Sequence, residues 1–171
     1  MKKVMIFGAA SAIAIETAKK FAADGTSLYL VDLSIERLQA VADDIRVHHE
    51  TTIELEAMNA LEYDKHEELI NRAAEKLGGL DAVLIAHGTL ADQEETQKSS
   101  EAIVREFNIN CLSVISLASM AANYFEPKKA GCVAVISSVA GDRGRQSNYL
   151  YGSAKGGVSI FMEGLRNRMD P

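Results

Sequence analysis

Short runs of apolar residues alternate with longer amphipathic segments along most of this 171-residue chain. The apolar runs lie at residues 4–7, 27–31, 82–86 and 132–136, and a more alternating pattern covers 53–57. Continuous apolar strands are typical of parallel sheets covered on both faces, because each crossover helix packs back on the sheet. The pattern predicts a single α/β domain of three layers, with a doubly wound parallel sheet of five strands.

The segments between the runs carry apolar residues at helical spacing. We predict helices over 11–25, 34–45, 64–77, 103–125 and 149–169. Ser34 is a candidate N-cap, and Asp64 followed by Glu67 is a capping-box pattern for the third helix. A polar stretch runs through Ser100 before the long apolar-striped helix, which Pro127 ends.

Composition excludes several classes of function. The chain has 18 Lys+Arg against 24 Asp+Glu, a net charge of −6, and no cationic run longer than a pair. Nucleic-acid binding needs clustered cations, so no such partner is expected. Cys111 and Cys132 lack metal-ligand spacing, so no metal site is predicted and both are expected to be buried thiols. No run is long enough to span a membrane, and the N-terminal run fits a strand better than a signal peptide, which favours a cytoplasmic protein.

Ligands of such sheets bind at the carboxyl ends of the strands, so the residues that follow each run are the main candidates for ligand binding. The sequence FGAASAIA at 7–14 has the length of a dinucleotide-binding loop but keeps only its first glycine, Gly8. The helix N-terminus at Ser11, Ala12 and Ile13 could offer free N–H groups to a pyrophosphate. On this stretch alone, a purely structural tight turn explains the pattern equally well.

Asp32 ends the second apolar run. A carboxylate at this place can accept hydrogen bonds from both hydroxyls of an adenosine ribose, and it repels a 2′-phosphate. Neither Leu33 nor Ser11 supplies a cation for such a phosphate, so the sequence favours NAD over NADP. The alternative is that Asp32 is a solvated loop acid before the Ser34 cap.

Ser138, Tyr151 and Lys155 form the most specific pattern in the chain. Tyr151 and Lys155 are 155 − 151 = 4 residues apart, which places both side chains on one face of a helix. An ammonium group beside a phenol favours the phenolate, as a general acid/base requires. An isolated match of this kind would more often be a solvated helix face, but Ser138 at the end of the fifth strand can meet the same substrate oxygen.

The order of these motifs, with Asn110, ISS at 136–138 and YGSAK at 151–155, resembles the short-chain dehydrogenase/reductase family over essentially the whole chain. The resemblance implies a Rossmann fold and an NAD(P)-dependent oxidoreductase acting on a carbonyl or secondary alcohol. By the same resemblance, Tyr151 is the proton donor or acceptor and Ser138 orients the substrate oxygen. Lys155 favours the phenolate and binds the nicotinamide ribose, and the backbone of Asn110 helps hold a water in the proton relay.

The sequence departs from the family pattern in three places. The family's TGxxxGxG is FGAASAIA, its NNAG is IAHG at 85–88, and its adenine-contacting Asp is Asn59. These changes put the tightness of cofactor binding in doubt. His87 fits a wall of the cofactor pocket better than an additional acid/base. Besides the residues already named, the resemblance places cofactor contacts at Asn59, Ala60, Ala86, His87 and Gly88.

The resemblance also carries expectations about substrate, assembly and length. The loop with Arg143 and Arg145 is similar to that of the reductases of decaprenylphosphoryl keto-ribose and could meet an anion, although arginines paired with surface acids explain it equally well. In the family, the apolar stripes of the helices that correspond to 103–125 and 149–169 pack against other subunits, so the resemblance implies a homodimer or homotetramer. The family fold continues beyond the helix of Lys155, so the domain is expected to be incomplete at its C-terminus. The competing hypothesis is a non-catalytic dinucleotide-binding or interaction protein with the same fold.

Overall fold

The computed structural model describes residues 2–170. Five parallel strands form one sheet in the order β3-β2-β1-β4-β5. The strands are β1 (Lys3–Phe7), β2 (Ser27–Asp32), β3 (Ile53–Ala57), β4 (Ala82–Ile85) and β5 (Cys132–Val135). Each strand coincides with one of the apolar or alternating runs, so the predicted doubly wound α/β fold is confirmed.

Helices cover both faces of the sheet. They are α1 (Ala12–Ala23), α2 (Ile35–His48), α3 (His66–Leu77), α4 (Gln93–Thr96), α5 (Ser100–Phe107), α6 (Ser113–Phe125) and α7 (Tyr149–Met169). Side chains of β1 alternate between the two faces, as the pleat requires. Val4 and Ile6 join the core under α1 and α2, whereas Met5 and Phe7 join the core under α3, α6 and α7.

The strand order reverses between β1 and β4. The chain runs outward from β1 through β2 to β3, and then returns to place β4 and β5 on the other side of β1. The connections that leave β1 and β4 therefore pass to opposite faces of the sheet. A crevice opens between them at the carboxyl ends of the strands, and this is where ligands of doubly wound sheets bind.

The segment predicted as one helix over 103–125 is two helices joined by a π-helical turn. α5 begins at Ser100, and the turn spans Asn108–Leu112, where the amide of Ser113 bonds the carbonyl of Asn108. The apolar stripe of the sequence does not reveal the interruption, because a single π turn leaves helical backbone on both sides and shifts the stripe only slightly.

Other local expectations were wrong for identifiable reasons. Asp64 does not cap α3, because Tyr63–Lys65 forms a 3₁₀ turn and α3 begins after Lys65 without a side-chain cap. The polar stretch through Ser100, where no helix was predicted, contains the short helix α4, whose first turn is capped by the side chain of Asp92. Cys111 is buried as expected, but Cys132 is exposed because β5 lies at the edge of the sheet.

Residues 2–170 contain neither a candidate membrane span nor a candidate metal cluster. No helix in this part of the chain has both the length and the apolar character needed to cross a membrane. In the same residues, no group of three or more His, Cys, Asp or Glu side chains is placed to hold a metal ion.

The turn from β1 to α1 depends on Gly8. Its φ is +79°, in the left-handed region that favours glycine, and its amide donates to the carbonyl of Val31 at 2.8 Å. A Cβ at this position would lie 2.5 Å from the backbone N of His87. Gly8 therefore sets how closely the ends of β1 and β4 approach each other.

We expect Gly8→Ala to lower the free energy of unfolding by at least about 2 kcal/mol, because the new Cβ meets backbone and the φ is strained. Gly164→Ala in α7 is the matched control, since a Cβ there has no atom within 4 Å. That variant should raise stability by about 0.5–1 kcal/mol. Urea unfolding measures both, and equal effects of the two substitutions would contradict the described turn.

Candidate active site

The turn that follows β5 lies directly against α7. Ser138 precedes the 3₁₀ turn Val139–Gly141, and its Oγ accepts a hydrogen bond from the amide of Ala140 at 3.1 Å. A Cβ at Gly152 would lie 2.5 Å from the carbonyl oxygen of Ala140, and one at Gly141 would lie 2.7 Å from the amide N of Gly156. Contacts this short leave no room for side chains. The glycines therefore allow the backbone of the turn to rest on the helix.

Tyr151 and Lys155 lie one turn apart on α7. The Nζ of Lys155 is 5.8 Å from the centre of the Tyr151 ring and donates to the carbonyl oxygen of Ile136 at 2.9 Å. Lys155 is only 3% exposed, whereas Tyr151 is half-buried. Two of the three ammonium N–H groups remain for other acceptors. The arrangement holds a cation beside a phenol that a small molecule can reach.

Asn110 is buried in the π-helical turn and ties it to the loop that follows β4. Its Oδ1 accepts from the amide of Thr89 at 2.9 Å, and its Nδ2 donates to the carbonyl of Glu106 at 3.1 Å. Gly88 lies between Asn110 and Lys155, because a Cβ on it would be 2.9 Å from the Oδ1 of Asn110 and 3.6 Å from the Nζ of Lys155. Asn110 and Lys155 therefore meet beside this loop.

A cavity of about 340 Å³ lies at the carboxyl ends of β1, β2 and β4. Its volume is in the range of small-ligand sites. Eight of its lining residues belong to the cofactor-binding set predicted from the sequence, namely Gly8, Ser11, Asp32, Leu33, Asn59, Ala60, His87 and Gly88. Five other lining residues were not predicted from the sequence, namely Phe7, Arg37, Met58, Thr89 and Ile109.

The remaining predicted cofactor residues lie outside this cavity. Ala12 and Ile13 are exposed in the first turn of α1. Ala86 packs against the core under α1 and α2. Tyr151 and Lys155 lie beyond Gly88, where Tyr151 borders a separate cavity of about 10 Å³.

Asp32 is held by the backbone at the end of β2. Its Oδ2 accepts from the amide of Ala10 at 3.0 Å, and its Oδ1 accepts from the amide of Leu33 at 2.9 Å. The guanidinium of Arg37 donates to the carbonyl of Ala10 at 2.7 Å and lies 4.0 Å from the Oδ1 of Asp32. The prediction that no cation for a 2′-phosphate lies near Asp32 was based only on Leu33 and Ser11. It missed Arg37, which the first turn of α2 brings back to the cavity.

The polar atoms of the cavity fit the adenosine diphosphate part of a dinucleotide. The Oγ of Ser11 and the Nδ1 of His87 are buried and have no hydrogen-bond partner within residues 2–170. Ser11 stands at the N-terminus of α1, where a hydroxyl and free amides suit a phosphate. Asn59 uses its Oδ1 to accept from the amide of Leu61 at 3.0 Å, which leaves its amide N–H groups for a base.

His87 is a neutral side chain in this site. Burial lowers its pKa to about 4, and the charge of Lys155 adds to the effect. Its Nε2 is 2.7 Å from the Oγ of Ser113, which donates its own proton to the carbonyl of Ile109 at 2.7 Å. Nε2 is therefore the donor, and Nδ1 is an acceptor. Burial also lowers the pKa of Lys155 below its usual 10.5.

The fold and the order of these residues are those of a class of dinucleotide-binding proteins. The family model described as short chain dehydrogenase matches residues 2–171, and the chain belongs to this family. An uncharacterized oxidoreductase of Mycobacterium tuberculosis is 29% identical over 166 residues, which cover 97% of this chain and 66% of the relative. The chain thus spans just under two thirds of the length of that relative.

Solved structures share the fold. A short-chain type dehydrogenase/reductase from Mycobacterium marinum has a TM-score of 0.91 at 20% identity, over 98% of this chain and 69% of that chain. An alcohol dehydrogenase from Thermococcus sibiricus, complexed with 5-hydroxy-NADP, has a TM-score of 0.87 at 22% identity, over 98% of this chain and 71% of that chain. The similarity to the decaprenylphosphoryl keto-ribose reductases stays a prediction.

The pH dependence of stability tests the environment of His87. In the unfolded chain His87 takes up a proton near its usual pKa of 6.5, but in the folded chain it does so only near a pKa of 4. Its contribution to the free energy of unfolding is therefore full above pH 6.5 and falls as the pH drops towards 4. The shift corresponds to at most about 3 kcal/mol. We expect His87→Gln to flatten the dependence in this window. Urea unfolding of both proteins at a series of pH values measures this, and parallel curves would contradict it.

Proposed function

We propose that the protein is an oxidoreductase that transfers a hydride between NAD(H) and a carbonyl or secondary alcohol. One observation carries the proposal: the buried ammonium of Lys155 is held 5.8 Å from the ring of Tyr151. The helix with this pair packs against the turn that begins at Ser138. The cavity of about 340 Å³ begins on the other side of Gly88. A general acid/base beside a cofactor site is the arrangement that carbonyl reduction needs.

In the direction of reduction, the hydroxyl of Tyr151 donates its proton to the carbonyl oxygen. Lys155 stabilises the phenolate that remains, because a nearby cation favours the charged form. Ser138 already accepts a hydrogen bond from Ala140, so its own proton is free to be donated to the substrate oxygen. A bound nicotinamide supplies the hydride, or accepts it in the reverse direction. The backbone of Asn110 holds a water that restores the proton.

We assign the adenosine half of the cofactor to the cavity at the ends of β1 and β2. The hydroxyl of Ser11 and the first amides of α1, at Ala12 and Ile13, face the pyrophosphate. Asp32 accepts the ribose hydroxyls, and Asn59 with Ala60 borders the adenine. His87 and Gly88 line the path towards the nicotinamide, with the backbone of Ala86 behind them.

We further propose a preference for NAD over NADP. The carboxylate of Asp32 faces the place of a 2′-phosphate and repels it. Arg37 is the cation that lines the cavity, but its guanidinium is engaged by the carbonyl of Ala10 and lies 4.0 Å from Asp32. The NADP-type ligand of the Thermococcus sibiricus enzyme belongs to a protein only 22% identical, so it does not decide the preference of this chain.

Tyr151→Phe tests the acid/base role. Loss of the phenolic proton should lower NADH-dependent turnover of ketones by at least about 100-fold, while stabilisation by NADH is retained. Tyr149→Phe is the control, because the hydroxyl of Tyr149 donates to Gln97 at 2.7 Å, away from Lys155. Consumption of NADH over a panel of ketones and aldehydes is the measurement.

Full activity of Tyr151→Phe would overturn this mechanism. A native protein that is stabilised by NADH but turns over no carbonyl in the panel would favour the non-catalytic alternative.

Titration with NADH and NADPH tests the cofactor preference. We expect NADH to bind at least about tenfold more tightly, since repulsion of roughly 1.4 kcal/mol is enough for that ratio. Asp32→Ala should reduce the ratio, whereas Asp24→Ala, at the C-terminal end of α1, should not change it. Tighter binding of NADPH that is lost in Arg37→Ala would show that Arg37 governs the choice instead.

A further inference from the structure

A buried carboxylate lies behind Asn110. Glu106 is 7% exposed and stands in the last turn of α5. Its Oε2 accepts from the Oγ1 of Thr89 at 2.6 Å and lies 3.4 Å from the Nδ2 of Asn110, while its Oε1 lies 3.6 Å from the guanidinium of exposed Arg105. A carboxylate loses much solvation when it is buried, so hydrogen bonds of this kind are needed to hold it there.

An ionised carboxylate only accepts hydrogen bonds, and this fixes the direction of the bonds around it. Thr89 gives its single hydroxyl proton to Glu106, so its Oγ1 can only accept from the Nδ2 of Asn110, at 3.0 Å. The amide of Asn110 is then oriented with its Oδ1 towards the backbone amide of Thr89, at 2.9 Å. We call this closed set of Glu106, Thr89 and Asn110 the carboxylate ring.

The carboxylate ring fixes the loop after β4 where the cofactor cavity meets the catalytic pair. Gly88 and Thr89 both line that cavity. Gly88 also lies against the side chains of Asn110 and Lys155 with no space for a Cβ. Because Gly88 is packed against these side chains, the path of the loop is sensitive to the position of the next residue. The hydrogen bond of the Thr89 hydroxyl holds that position.

We propose that Glu106 is a positioning residue for the nicotinamide end of the site. Its carboxylate orients Asn110 and anchors the loop at 88–89, and it acts on the cofactor only through them. The proposal rests on the dinucleotide binding proposed above. It assigns a role to a buried charge that the acid/base mechanism does not use.

Paired substitutions test the carboxylate ring. Glu106→Leu removes the acceptor and Thr89→Val removes the hydroxyl, whereas Glu106→Gln and Thr89→Ser keep the groups that the ring needs. We expect Glu106→Leu and Thr89→Val to weaken NADH binding about tenfold, since a hydrogen bond to a charged group is lost. The Glu106→Gln and Thr89→Ser variants should bind NADH almost as tightly as the native chain does. The double variant with Leu and Val should be no weaker than either single variant, because both break the same ring.

Two further measurements separate positioning from plain stability. Fluorescence titration with NADH is compared with the thermal midpoint, and Glu101→Leu, an exposed acid on the same helix, is the control. The side-chain amide protons of Asn110 in a proton–nitrogen correlation spectrum report the ring directly. We expect them to be protected from exchange in the native chain and in Glu106→Gln, and unprotected in Glu106→Leu.

Unchanged NADH affinity in Glu106→Leu would overturn the proposal, whether or not the thermal midpoint falls. If Glu106→Leu does not fold, native-like binding by Thr89→Val overturns it instead. If the native chain itself binds no NADH, the proposed function fails, and the exchange of the Asn110 amide protons then decides whether the ring exists.

Discussion

The site depends on the absence of side chains where the turn after β5 meets α7. Ser138 comes from the turn, and Tyr151 and Lys155 come from the helix, so their relation is set by how closely two backbones approach. Gly141 and Gly152 permit that approach, since a Cβ on either would lie under 3 Å from backbone atoms of the other element. The same closeness lets the carbonyl of Ile136 hold Lys155 in a buried position. The chemistry proposed for Tyr151 therefore begins with a packing constraint.

Much of the fold could be predicted from local pattern. Apolar runs fix strands wherever both faces of a sheet are covered, and spacing alone places Tyr151 and Lys155 on one helical face. The pattern failed where tertiary contact decides the outcome. The π turn at Asn108–Leu112 keeps the apolar stripe nearly intact, and Cys132 is apolar in sequence but lies at the edge of the sheet. Neither feature leaves a signal that a single sequence shows.

The residues of the candidate site also form two groups, those that could be located from the sequence and those that could not. Residues at or just beyond the carboxyl ends of strands, such as Gly8, Asp32 and His87, could be located because these ends share one edge of a parallel sheet. Arg37 and Glu106 could not, because each acts from a helix, and its contacts are made by folding back to a loop distant in sequence. Gly152 and Gly156 receive the turn after β5, a role that only the structure shows.

Two segments in the surroundings of the candidate site differ in how freely they can change. Gly88, Asn110 and Lys155 are so closely packed that an added methyl group disturbs the others. By contrast, residues 142–147 are exposed and form a loop without regular structure ahead of α7. Substitutions in such a loop have little effect on the core. Evolution could therefore vary this one segment while the packing around the proposed proton donor, Tyr151, stays the same.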